Sequence, residues 1–102
     1  MTPAMAKTIV VHRLAETELM SAYRWYRERS DKAGGRFLAE IDRAMGAIAD
    51  RPQSFPEYLK KTRRCLLTRF PFLLVFREFD REIPITAVAQ GRRRPGYWRS
   101  RV

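Results

Sequence analysis

The stretch Arg36-Phe37-Leu38-Ala39-Glu40-Ile41-Asp42-Arg43-Ala44-Met45-Gly46-Ala47-Ile48 decides the fold. Phe37, Ile41, Ala44 and Ile48 recur at offsets of four, three and four, the spacing that lines one side of an α-helix. The same rhythm occurs upstream, where Ala15, Leu19, Ala22 and Tyr26 predict a first helix from Leu14 to about Arg29. Glu16, Arg24, Arg27 and Glu28 fall largely outside that apolar face. Tyr26 reads as core, while Trp25 suits either core or binding. Two such helices joined through Ser30-Asp31, a ready N-cap, make a helical hairpin. Gly34 and Gly35 weaken the first turn of the second helix by about 1 kcal/mol each relative to alanine. Pro52 ends it, and Pro52-Gln53-Ser54-Phe55-Pro56 is the main loop.

On either side of the hairpin the pattern turns to β structure. Lys7 to His12 is short and β-branched, after a start at residues 1–6 expected to be loose. His12, the lone histidine, reads as a surface or hydrogen-bonded residue. Downstream, Arg63 to Thr68, Phe72 to Phe79 and Ile83 to Gln90 are candidate strands, with Asp80-Arg81-Glu82 a hairpin link. The apolar run Leu73-Leu74-Val75-Phe76 suits a central strand. Pro84, lacking an N–H, belongs near a strand start or at an edge. Ile83, Ile85, Ala87 and Ala89 are expected on one face. The order β-α-α-β-β-β defines an α+β fold, a helical hairpin packed on a small, largely antiparallel sheet. At 102 residues, residues 1–102 are expected to form a single domain.

Composition narrows the chemistry. One cysteine, Cys65, and one histidine make a zinc site improbable, and Cys65 in its apolar run reads as core. No glycine-rich phosphate loop is present, and neither a cofactor nor a metal is expected. The longest apolar run, Phe70 to Phe76, is too short to cross a bilayer and the N-terminus does not read as a signal, so a cytoplasmic location is expected without membrane association.

Charge is polarised along the chain. Residues 1–59 carry 9 basic and 8 acidic side chains, and residues 60–102 carry 12 and 3. The surplus gathers at residues 90–102, a basic-aromatic tail holding Arg92, Arg93, Arg94, Arg99 and Arg101 with Tyr97 and Trp98. Guanidinium forks suit phosphate or carboxylate, and Trp, Tyr and Arg are the side chains enriched at binding hot spots. Arg92, Arg93, Arg94, Tyr97, Trp98 and Arg99 are therefore the candidate target-binding residues. The duller reading folds Tyr97 and Trp98 back as a core cap and leaves the arginines solvated.

Several of these stretches together resemble the RelE/ParE superfamily, the toxins of type II toxin–antitoxin modules, including members described as plasmid-stabilisation proteins. The resemblance runs over residues 7–101. It is carried by Trp25-Tyr26, Arg36 to Ile41, Pro52 with Phe55-Pro56, Arg63-Arg64, Arg69-Phe70-Pro71-Phe72, Ala87-Val88-Ala89 and Gly91 to Trp98. It implies a growth-arresting toxin neutralised by a cognate acidic antitoxin, itself an expected DNA-binding autoregulator. ParE-like members inhibit DNA gyrase, and RelE-like members cut messenger RNA on the ribosome without metal. The long helical hairpin is more similar to the ParE branch.

The two targets require different chemistry. Metal-free RNA cleavage needs a base, an acid and cations at the scissile phosphate. Arg63, Arg64, Arg93 and Tyr97 are the candidate catalytic residues for that alternative, with Tyr97 as acid or base if neighbouring arginines lower its pKa. Gln90, where relatives often carry histidine, cannot shuttle protons. Gyrase inhibition needs only recognition, and the tail is richer in anchors and charge stabilisers than in acids and bases. A non-toxic nucleic-acid-binding module is a further alternative.

Overall fold

The computed structural model describes residues 7–102, so the expected loose start at 1–6 lies outside the described residues. Strand β1 (Thr8–Val11) leads into helix α1 (Arg13–Arg29), helix α2 (Asp31–Asp50) and strands β2 (Arg63–Leu66), β3 (Phe72–Phe76) and β4 (Glu82–Gln90). The sheet order is β1-β4-β3-β2. β1 runs parallel to β4 and the remaining pairs are antiparallel. The architecture is α+β, a helical hairpin on a largely antiparallel sheet, as the sequence predicts.

Local chemistry explains the helix boundaries. His12 Nδ1 accepts from Leu14 N–H at 3.1 Å and caps α1. Ser30 closes α1 through its N–H to Tyr26 O and opens α2 by accepting from Ala33 N–H at 2.9 Å. One residue thus joins the two helices. Gly34 has a packing reason to be in α2: a Cβ there would meet Arg27 Cβ at 3.0 Å and Tyr23 Cε1 at 3.2 Å. The helices approach each other there because the side chain is absent.

Both faces of the sheet are covered, by different material. Ala15, Ala22, Phe37, Ile41, Ala44 and Ile48 from the helices pack on Leu74, Phe76, Ile83 and Ile85. On the reverse face Val75, Ala87 and Ala89 pack with Trp98, flanked by Tyr58, Leu73 and Tyr97. The C-terminal tail is therefore the second layer over β3 and β4. Such double cover accounts for the near-continuous apolarity of β3, an interior strand.

One expectation about β4 is corrected. Val75 pairs with Ala87 but Phe76 with Ile85, so Thr86 is an extra residue at a β-bulge. The bulge reverses the alternation. Ile83 and Ile85 face the helices with Val88, whereas Ala87 and Ala89 face the tail. β3 also stops at Phe76 rather than Phe79. Arg77 N–H donates to Pro84 O at 3.1 Å, and Pro84 has no N–H to return the bond. β2 ends at Leu66, before a turn in which Arg69 takes a positive φ of 72°. Among the described residues no helix is long and apolar enough to cross a membrane.

Candidate target-binding site

The site assembles where β4 outruns its parallel neighbour. β1 pairs with β4 only as far as Ile85, so the backbone groups beyond it need other partners on that side. Glu18, from the middle of α1, supplies one by accepting from Val88 N–H at 3.1 Å. Arg101 supplies another by donating from Nη1 to Thr86 O at 3.2 Å. The bulge and the strand mismatch thus create a seam that a carboxylate and a guanidinium close.

The same two side chains meet each other. Arg101 Nη1 and Nη2 donate to Glu18 Oε1 and Oε2 at 2.9 and 3.2 Å, a bidentate fork in which the side chains are 11% and 15% exposed. Tyr97 Oη donates to Glu18 Oε2 at 2.6 Å, and Arg93 Nη1 lies 3.5 Å from that oxygen. The Arg93 guanidinium sits over the Tyr97 ring at 3.7 Å, with Arg101 at 5.3 Å. One carboxylate therefore gathers two arginines, a phenol and a backbone amide.

The path of the tail follows from its turns. Arg93 N–H donates to Gln90 O, Tyr97 N–H to Arg94 O, and Arg99 N–H to Gly96 O. Gly96 has φ +83°, a conformation that glycine adopts without steric cost. The chain then closes in a 3₁₀ turn, Arg99–Arg101. These turns bring Trp98 down onto the sheet.

The structure sorts the candidate residues. Arg92, Arg93, Arg94 and Arg99 are exposed and Tyr97 is half-buried. Trp98 is corrected: it is 1% exposed beneath the tail, so it holds the tail down instead of presenting a free surface. The core-cap reading thus applies to Trp98, while Arg93 and Arg101 are held by Glu18 rather than simply solvated.

The catalytic candidates divide between the two faces of the sheet. Arg93 and Tyr97 are stacked, but Arg63 shares the helix-side register of β2 with Cys65 and donates to Phe55 O at 2.7 Å. Arg64 is on the tail side, over the Tyr58 ring at 5.2 Å, and that ring lies 6.0 Å from Trp98. The condition for Tyr97 to serve as acid or base, a pKa lowered by its arginines, is not met. Burial first, then its bond to Glu18, push the phenol well above its ordinary value, and the opposing effect of Arg93 and Arg101 is smaller. His12 caps α1 instead of reaching the tail.

Glu18 escaped the sequence reading. It sits three residues past Ala15 and four before Ala22, on the shoulder of the buried stripe of α1. An acid at that angle was the available signal, and its partner 83 residues away was not. Beside it opens a groove of about 480 Å³, lined by Glu18, Trp25, Phe72, Gln90 and Arg93 among others. Trp25, open in the sequence reading, is 52% exposed there, with Arg29 over its ring at 3.4 Å.

The fold is a helical hairpin on a four-stranded sheet whose reverse face is covered by an anchored C-terminal tail. A solved structure described as the chromosomal ParDE TA system from P. aeruginosa matches with a TM-score of 0.72 at 18% identity, over 83% of this chain and 96% of that one. At that identity the likeness shows the fold alone. The family model described as ParE toxin of type II toxin-antitoxin system, parDE, matches residues 9–95. The chain belongs to the ParE toxin family of type II toxin–antitoxin systems. Comparison with curated proteins gives no match.

Proposed function

We propose that the chain arrests growth in the cytoplasm by engaging DNA gyrase through its C-terminal tail, and that a cognate acidic antitoxin prevents this. The state of Tyr97 carries the reading: the best acid–base candidate in the tail is bonded to Glu18 and held protonated by burial. A recognition surface of exposed arginines on a clamped scaffold requires no proton transfer. Arg92, Arg93, Arg94 and Arg99 contact the target directly, and Tyr97 and Trp98 hold them in place. RNA cleavage would need Arg63 or Arg64 beside Tyr97; Arg63 is turned to the helix side by its bond to Phe55 O, and the Arg64 guanidinium lies over the Tyr58 ring.

An antitoxin is also part of this proposal, since the matched ParDE structure is described as a toxin–antitoxin system. Its acidic, helix-rich segment lies against the hairpin or sheet by charge complementarity, and its own domain binds operator DNA. Plasmid stabilisation is the cellular role that such a pair would serve. Induction of the chain alone in bacteria should stop growth, and co-expression of the adjacent small reading frame should restore it. Normal growth with abundant folded protein would overturn the proposal.

A further inference from the structure

The face of the sheet opposite the helices carries an unusual charge distribution. No acidic side chain occurs between residues 58 and 77 or between 83 and 102. The one carboxylate that reaches the tail from elsewhere, Glu18, is occupied by Arg93 and Arg101. Lys60, Lys61, Arg64, Arg92, Arg94 and Arg99 make no ion pair among the described residues. Residues 1–6 contain no acidic side chain that could supply one.

Two elements bring Lys60, Lys61, Arg64 and Arg99 together, the last through its Nε donating to Gly96 O at 3.1 Å. The turn Leu59–Lys61 lies against the tail, since a side chain at Gly96 would meet Leu59 Cδ1 at 3.5 Å. Arg64 covers Tyr58, which abuts Trp98. Lys60 and Lys61 hold φ values of 56° and 60°, a left-handed pair that costs energy in residues other than glycine. Arg64 Nε is buried with no hydrogen-bond partner. These are costs borne at a surface rich in cations, whose nearest acid, Glu57, is exposed beside Tyr58 and 3.8 Å from Arg63.

We propose that this face grips the phosphate backbone of duplex DNA, as a second ligand distinct from the protein target. Its aromatic faces are not open to unpaired bases: Trp98 is buried, Tyr58 lies between Arg64 and Trp98, and Arg93 covers Tyr97. Single strands are held by such stacking, and without it the face contacts backbone alone. A-form RNA duplexes are gripped partly through 2′-hydroxyls, and the test below compares one directly. Duplex DNA presents a dense linear array of phosphates and requires only cations. Leu59 and Leu66 are exposed on the same side, so an acidic protein surface is the competing occupant.

The DNA face shares Arg99 with the proposed gyrase surface, and its test contains no gyrase, so the two readings fail separately. Fluorescence anisotropy of a labelled mixed-sequence DNA duplex with the purified full chain is read across a salt series. Four phosphate contacts, from Lys60, Lys61, Arg64 and Arg99, predict that log K falls with log salt at a slope of roughly −3.5. Lys60→Asn/Lys61→Asn removes two charges with a residue that tolerates the left-handed backbone, and should reduce the slope by about 2. Arg24→Gln/Arg36→Gln on the helices should leave it unchanged, with circular dichroism confirming that each variant is folded. A slope near zero, or one unaltered by the lysine changes, would overturn the proposal. So would tighter binding to single-stranded RNA, duplex RNA or polyglutamate than to the DNA duplex.

Discussion

Tyr97 Oη donates to Glu18 Oε2 at 2.6 Å across 79 residues of sequence, tying the C-terminal tail to the first helix. The bond belongs to a cluster with Arg93, Arg101 and Val88 N–H, and makes a largely buried carboxylate the centre of an otherwise basic region. Glu18→Ala leaves Arg101 mostly buried without its counter-charge and should cost about 3–5 kcal/mol, measured by denaturant unfolding. In the double variant Glu18→Ala/Arg101→Ala the loss should be smaller than the sum of the two single losses. Additive losses would mean that the pair is not coupled.

Trp98 fills the layer beneath the tail. Trp98→Ala should cost about 3–5 kcal/mol through the cavity it leaves. The same change should loosen the tail, seen as faster amide exchange at Val88, Arg99 and Arg101. A stable variant with a protected tail would return Trp98 to the list of surface anchors.

Gly96 turns the tail at φ +83°. An added Cβ meets only ordinary contact there, with Leu59 Cδ1 at 3.5 Å, so the effect of Gly96→Ala is conformational. The expected loss is about 1–2 kcal/mol in thermal unfolding. A neutral result would show that the turn relaxes without strain.

A second carboxylate sets acid sensitivity at the helix–loop contact. Glu40 accepts from Arg43 and from Thr68 N–H, and these hold its pKa down to about 2 against an ordinary value of 4.5, with Arg43 the larger cause. A lowered folded-state value means that the contribution is fully present above about pH 4.5 and disappears as pH falls towards about 2. Stability measured over that window should fall less steeply in Glu40→Gln than in the parent. Equal slopes would separate Glu40 from acid unfolding.

The legible part of the fold was periodic. Phe37, Ile41, Ala44 and Ile48 reveal α2 because each helical turn presents the same face to one core. Leu73 to Phe76 reveal an interior strand because both faces are covered. What sequence could not show depended on chain meeting chain. The bulge at Thr86 is a mismatch between two strands, visible only in their pairing, and it turns Ala87 and Ala89 away from the helices. The five arginines of the tail would lower the Tyr97 phenol if they acted alone, but burial and Glu18 act in the other direction and outweigh Arg93 and Arg101. Trp98 reads as an anchor, and it is one, for the tail itself.

The central claim is that the tail grips a protein target and does not cut RNA. Purified protein should be added to a gyrase supercoiling reaction, with cleavage complexes scored, and in parallel to a translating extract in which cut messages are mapped. Recognition without cleavage should give inhibition of gyrase that is lost in Arg93→Ala/Arg94→Ala, and intact messages. Cuts within codons that vanish in Tyr97→Phe, with gyrase unaffected, would contradict it.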